Sequence, residues 1–583
     1  MIKNVAYTFL LTIICLLAGC KNDPPEINKD FDVVVRINRD IGRINPILSS
    51  SARAREVYKY VFLNLLDYDP KTLQLSPVLA ESLPQKETLD DGRVKYSFRI
   101  LDDAVWDNGA PITAADFLFT LKVIHHPGLT SSNWKSLLSI IDEVIVDPDD
   151  VKVLEFVIAE QTLNTLEVLG SFEVYPEHIY DPLGSLSKIS LYDIKDDAIA
   201  TKLIEQDSAF SAFATSFSSS KYAMDIVEGA GAYKIKDWET DQYIRLIRKD
   251  NWWGSNYPDR TNLLANPSEI IFQIIADETT AVTQLKGGNI DVMKITNGSA
   301  FKELQSESSD ILNFHKPKIK QYFFIAINNE DKLMQRKEVR QALALCIDVN
   351  KMIEVLEAGD ARPISGTIDP FVEDYKSNIS PISQDVNGAK KLLEENGWSD
   401  SNGNGWYDQQ VDGELLDLQL NIFASSDKGE NFGLLVKEFA KSIGIDVSII
   451  RKKYSLIINE HIYKGDYQLY PFVTIWDLSP YDPYGRWHSD NIKPRGQNIN
   501  RYRNKEVDTL ISKISVETDL NIRMQLYADL DELISEDQPV IFLYSPLDRI
   551  VTSKDIIPLI ANKRPGYFVN VFTSQEVPAF SDN

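Results

Sequence analysis

The chain has three cysteines, and two of them, Cys15 and Cys20, fall inside the first twenty residues, so disulfides cannot be what holds it together. Cys346 is the single thiol left to the rest of the sequence, and one thiol closes no internal bridge. Stability has to come from buried apolar surface, and 583 residues are enough to build two or more cores. No second apolar run long enough to span a bilayer occurs after the N-terminus, so the body of the chain reads as a soluble globular protein.

Short β-rich runs, Phe31 to Val35, Val151 to Ile158 and Glu269 to Ile274, alternate with amphipathic stretches of helical period, which predicts an α/β fold. Thr113 caps a helix carrying Phe117, Leu118, Leu121, Val123 and Ile124. A second helix is predicted over Lys337 to Ala358, with Arg336, Lys337 and Arg340 crowding its start. Cations there oppose the helix dipole, so carboxylate partners or a functional reason are expected. Further helices are predicted at Val386 to Asn396 with Gly397 as terminator, and at Asn431 to Ser442, Asn504 to Val516 and Asn521 to Ser535.

The N-terminus carries one early cation, Lys3, then an uncharged run from Val5 that closes on Leu17-Ala18-Gly19-Cys20. This is similar to the lipobox of bacterial lipoproteins, which implies cleavage of residues 1–20 and acylation of Cys20. Residues 21–30, polar with Pro24 and Pro25, read as a flexible tether. The resulting address is the cell envelope, lipid-anchored and facing the periplasm or the outer side of the membrane. A net charge of −25 argues against nucleic acid as a partner, since phosphate binding needs clustered cations.

Catalytic signatures are missing: there is no Gly-Xaa-Ser-Xaa-Gly, no phosphate loop, no His-Glu-Xaa-Xaa-His and no Cys-Xaa-Xaa-Cys. The six histidines are scattered apart from His125-His126, which reads as a cap or surface pair at a helix end. The expectation is a protein that is not an enzyme and requires no cofactor.

From Arg43-Ile44-Asn45-Pro46 onward the chain resembles the bacterial extracellular solute-binding proteins of the peptide and nickel class, family 5. The most specific match is Val105-Trp106-Asp107-Asn108-Gly109-Ala110-Pro111-Ile112-Thr113-Ala114-Ala115-Asp116-Phe117, read as a strand with an exposed tryptophan, a tight turn and a capped helix. Gly229-Ala230-Gly231-Ala232-Tyr233, Asn251-Trp252-Trp253-Gly254, Val339-Arg340-Gln341-Ala342-Leu343 and Tyr502-Arg503-Asn504 are similar to later landmarks in the same order. The resemblance implies a two-lobed periplasmic-binding-protein-like fold of type II, the large peptide-binding class. Lobe I is expected over 31–315 with an inserted subdomain at about 65–215, lobe II over 316–543, and a return to lobe I over 544–583. The outgoing crossing is placed near Lys316 to Phe324 and the return near Pro539 to Pro546, so that two adjacent strands form a hinge.

In relatives of this class a segment with a tryptophan, an aspartate three residues later, then an acidic residue and a proline supplies the carboxylate that pairs with a peptide's amino terminus. The corresponding segment here is Trp476-Asp477-Leu478-Ser479-Pro480-Tyr481-Asp482-Pro483, with Ser479 in the aspartate's place. Three explanations stand: Asp477 takes over, Asp482 takes over, or the ligand has no free amine. Tyr481, Tyr484 and Trp487 are pocket walls or packing, and Ser50 and Ser51 in lobe I face the cleft or a solvated loop. A separate run, Asp400 to Asp408, offers oxygens at Asp400, Asn402, Asn404 and Asp408 with Gly405 at the sixth position, as a structural calcium loop requires. Val411 stands where the closing glutamate belongs, and a surface turn is the competing reading.

The function implied is a monomeric substrate-binding lipoprotein of an ABC importer. It would capture a small solute, a peptide first of all, by hinge closure and pass it to the permease. The alternatives are an envelope sensor or chaperone-like lipoprotein on the same fold, and an envelope hydrolase.

Overall fold

The computed structural model describes residues 31–575 apart from 50, 131–133, 160, 370–371, 373–374, 376, 412 and 476–479. Among these residues the chain builds two large mixed sheets, each with its own apolar cores. The first sheet runs, in spatial order, Leu312–His315, Ile550–Ser553, Val292–Lys294, Asp32–Ile37, Glu269–Ile274, Tyr243–Arg248 and Tyr233–Glu239. Val33, Val35 and Ile37 face its main core, while Val34 points to a smaller core on the opposite side, the period-two alternation of a strand covered on both faces.

A four-stranded antiparallel sheet, Gln85–Thr88, Val94–Arg99, Val153–Ile158 and Ile141–Val146, is inserted between the first and later strands of that lobe. Val94, Tyr96 and Phe98 point inward, and Lys95, Ser97 and Arg99 pair outward with Glu155 and Asp150. Its apolar face continues into the main core of the first lobe.

The second sheet runs Ala361–Pro363, Val540–Pro546, Gln321–Ile327, Leu469–Ile475, Gln419–Ala424 and Asp446–Arg451. Gln321–Ile327 sits in the middle, sending Ile325 and Ile327 to one core and Tyr322, Phe324 and Ala326 to the other. Because Val540–Pro546 is a strand of this sheet, the return crossing falls at 547–549, after the span read from sequence. The outgoing crossing occupies 316–320, between His315 of the first sheet and Gln321 of the second.

Several local readings hold and several change. The Ala114–His125 helix opens with the expected cap, extended to a capping box by Asp116. Trp106, however, is buried rather than exposed, because its indole reaches Asp116 Oδ2 at 3.4 Å behind the turn closed by Gly109 at φ +82°. His125 and His126 are buried as well, not a surface pair. His126 Nδ1 accepts the Gly128 N–H, its Nε2 meets the Phe210 carbonyl at 3.0 Å, and burial lowers both imidazoles.

The single helix expected over 337–358 is two, Lys337–Cys346 and Val349–Glu357, with the Asp348 side chain capping the second through the Lys351 N–H. The three cations at its start are answered in different ways. Lys337 pairs with Glu536 at 2.9 Å and Asp537 at 3.4 Å. Arg340 donates to the carbonyls of Met334, Asp537 and Gln538, the last two at the C-terminal end of the Leu520–Asp537 helix, and Arg336 lies over the Trp398 ring. A guanidinium on carbonyls at a helix C-terminus is favourable to the dipole it faces.

Candidate functional site

The two crossings lie side by side. Asp548 N–H donates to Pro317 O at 3.2 Å, so one crossing is hydrogen-bonded to the other. Both are tied to the second lobe through Asp360: Lys316 reaches its Oδ1 at 2.5 Å and Arg549 Nε its Oδ2 at 2.8 Å. Arg549 also donates to the Glu357 carbonyl and to Thr296 O of the first lobe at 3.2 Å. Glu357 is neutralised in turn by Lys428 at 2.6 Å. Beside this cluster the lobes come as close as backbone allows. A Cβ on Gly298 would stand 2.6 Å from the Cβ of Ala358.

A second contact between the lobes lies in the insert. Leu163 N–H, just past the Val153–Ile158 strand, donates to Ser515 O at 2.9 Å, and the Leu163 side chain packs into a core of the second lobe. The lobes therefore touch at the hinge and at this rim.

On the first lobe, the helix Ala52–Tyr58 follows the serines singled out from sequence. Ser50 lies outside the described residues. Ser51 is the N-cap, its Oγ accepting the Ala54 N–H at 3.4 Å, which uses an acceptor lone pair and leaves the hydroxyl proton to donate. Sequence reasoning passed over two ionisable groups next to this helix. Glu173 is half-buried, and burial raises its carboxyl to about 7 against the opposing pull of Arg55. The Lys59 ammonium is buried without a hydrogen-bond partner, over the rings of Tyr60 and Phe568 at 4.8 and 4.4 Å, and burial lowers it to about 7. Neither belongs to a motif. The signal available was a lone charge within an apolar run, Phe172-Glu173-Val174-Tyr175 and Val57-Tyr58-Lys59-Tyr60-Val61.

Cys20 of the leader and Trp476, Asp477 and Ser479 of the anchor segment lie outside the described residues, so on the second lobe the structure bears on the segment's other end. Tyr481 is core rather than a pocket wall: it is 3% exposed and its hydroxyl meets Thr367 Oγ1 at 2.8 Å. Trp487 is fully buried, its Nε1–H on the same Thr367 oxygen at 3.0 Å, while Tyr484 is exposed and stacks on His488. Asp482 is half-buried; its Oδ1 takes the Tyr484 N–H at 2.9 Å and burial raises its carboxyl.

The oxygens of the 400–408 loop are turned inward to its own amides. Asp400 Oδ2 accepts Gly405 N–H at 3.0 Å, Asn402 Oδ1 accepts Asn404 N–H at 2.9 Å, and Asn404 Oδ1 accepts Trp406 N–H at 2.8 Å. Asp408 takes the N–H groups of Ser401 and Asn402, which with the Ser401 hydroxyl holds its carboxyl low. Among the described residues no cluster of three or more His, Cys, Asp or Glu could hold a metal ion, and no helix is long and apolar enough to cross a membrane.

Two lobes on separate sheets, joined by a pair of adjacent crossings, define a periplasmic-type binding protein. Residues 74–493 match the middle region of the bacterial extracellular solute-binding proteins, family 5, and the chain belongs to that family. It is 25% identical over 533 residues to the oligopeptide-binding protein AppA of Bacillus subtilis, covering 90% of this chain and 88% of AppA. The structure of that AppA in complex with a nonapeptide superposes with a TM-score of 0.71 at 22% identity, over 94% of this chain and all of AppA's. NikZ of Campylobacter jejuni in complex with Ni(L-His) gives 0.69 at 20% identity, over 93% and 99% of the two chains. The fold is shared across ligands of very different chemistry.

Proposed function

We propose that the protein captures a peptide between its lobes and delivers it to an ABC-type permease, carrying out no chemistry on it, while acyl chains on Cys20 hold it at the membrane as a monomer. The observation that carries this reading is the paired crossing at 316–320 and 547–549, hydrogen-bonded to each other through Asp548 N–H and Pro317 O and close enough to act as one joint. A joint of this kind lets ligand contacts made by both lobes select the closed state. Peptide is preferred over chelate because the curated relatives that match along most of this chain include several oligopeptide-binding proteins, AppA of Bacillus subtilis among them.

Isothermal calorimetry of the chain from Lys21 onward against a pool of synthetic peptides tests the ligand class. Saturable heat with micromolar or tighter affinity is expected. Heat from a nickel chelate and none from peptides would replace the reading with a chelate carrier. Metabolic labelling with a radioactive fatty acid tests the anchor: label is expected on the full chain and lost in Cys20→Ala.

A further inference from the structure

We propose that Thr367 and Asp531 are positioning residues that hold the ligand segment of the second lobe in place by clamping Tyr481–Trp487. This rests on reading 476–483 as the segment that meets ligand. The strand Leu469–Ile475 leads into that segment and the chain emerges at Pro480. The emerging side is fixed by one wholly buried hydroxyl. Thr367 Oγ1 meets Tyr481 OH at 2.8 Å, Trp487 Nε1 at 3.0 Å and Tyr322 OH at 3.3 Å. A hydroxyl has one proton to give and two lone pairs: the Trp487 N–H takes one lone pair, and of the two tyrosine hydroxyls one can donate and the other accept, so three partners use its full capacity.

Thr367 is itself fixed from the Leu520–Asp537 helix. Asp531, 1% exposed, accepts the Thr367 N–H on Oδ1 at 3.0 Å and the Tyr375 hydroxyl on Oδ2 at 3.1 Å. The acid presses against backbone: a Cβ on Gly366 would stand 2.6 Å from its Oδ1, so only glycine admits it there. One turn earlier on the same helix, Tyr527 donates its hydroxyl directly to the Tyr481 carbonyl. The helix thus grips Tyr481 twice, once through Tyr527 and once through the Asp531–Thr367 relay.

The strand side is tied separately. Arg486 donates to the Thr474 hydroxyl near the end of Leu469–Ile475, with its guanidinium over the rings of Phe324 and Phe472 at 5.5 and 5.7 Å. Apolar side chains would bury the same volume without directionality, and no cation among the described residues pairs with Asp531, so its burial costs stability. What such a network supplies is a single geometry for the chain it holds.

The experiment pairs calorimetry against the peptide pool with hydrogen–deuterium exchange of Tyr481–Trp487, using the chain from Lys21 onward. Thr367→Val and Asp531→Asn are expected to weaken peptide binding about tenfold and to speed exchange in that segment by a similar factor, whereas Thr367→Ser, which keeps the hydroxyl, restores both. Val436→Ala, in the other core of the lobe, is the control for lost stability alone and should leave affinity unchanged. If Thr367→Val does not fold, Tyr527→Phe removes one hydroxyl from the same grip. Wild-type affinity and wild-type exchange in Thr367→Val or Tyr527→Phe would overturn the proposal. Absence of peptide binding by the wild type would strike the functional reading instead, with the exchange arm still deciding whether the clamp exists.

Discussion

The hinge and the interiors of the two lobes treat buried charge in opposite ways. At the hinge the buried charges are answered: Arg549, Asp360, Lys316, Glu357 and Lys428 form one connected set, with Arg549, Asp360 and Glu357 all nearly inaccessible. Away from it, the Lys59 ammonium and the Asp531 carboxyl are buried with no ion-pair partner among the described residues, and burial brings both to about 7. Hydrogen bonds from Lys316 and Arg549 hold the Asp360 carboxyl low against its burial. Burial moves the unpaired groups of the lobes toward neutral pH instead, so their interiors are where stability should respond to pH.

The contrast breaks most visibly if the paired set is opened. Arg549→Leu leaves Asp360 to Lys316 alone and Glu357 to Lys428 alone, and is expected to cost about 4 kcal/mol, within the range for removing one partner of a buried ion pair, read by urea denaturation. A loss under 1 kcal/mol would mean the hinge charges are water-screened after all.

The unpaired acid Asp531 sharpens the other side. Its folded carboxyl sits at about 7, raised from 3.8 first of all by burial. The native state therefore holds a proton that the unfolded chain has released between those values, and its stability falls as pH rises from about 4 to 7. The change is on the order of 4 kcal/mol. Asp531→Asn should flatten that slope in a pH series of denaturation curves. The lysine runs the opposite way: burial lowers Lys59, so the unfolded chain holds the extra proton between about 7 and 10.5 and stability rises over that range. Lys59→Met should raise stability near neutral pH by about 1–3 kcal/mol, with the gain shrinking toward pH 10. Smallest is the rim. Leu163→Asp should cost about 1 kcal/mol of lobe-to-lobe contact, seen as faster ligand release in stopped-flow with little change in unfolding.

What the sequence made legible was local. The Thr113 cap, the Gly109 turn and the Gly397 terminator are carried by the residues that make them, and all three are present. The break at Asp348 was hidden because the apolar stripe continues across it, and periodicity does not register a cap inserted in phase. Arg340 could not be explained from its neighbours because two of its three carbonyl partners lie 197 and 198 residues away. Val540–Pro546 read as the return crossing because nothing in a buried apolar strand says which sheet it joins. The clamp was missed for a similar reason: Asp531 looks like one more acid on an acidic helix. Its spacing from Tyr527 and Ile534, both buried, placed it on the inward face and was the one available sign. In the candidate site, family resemblance located the segment, while the roles of Tyr481 as core and Ser51 as cap required the fold.

Small-angle scattering of the chain from Lys21 onward, with and without the peptide pool, tests the two-lobed joint most directly. Two lobes that close on a guest predict a smaller radius of gyration and a shorter maximum dimension once peptide is bound. Superimposable curves at peptide concentrations that saturate the calorimetric signal would contradict a hinge at 316–320 and 547–549.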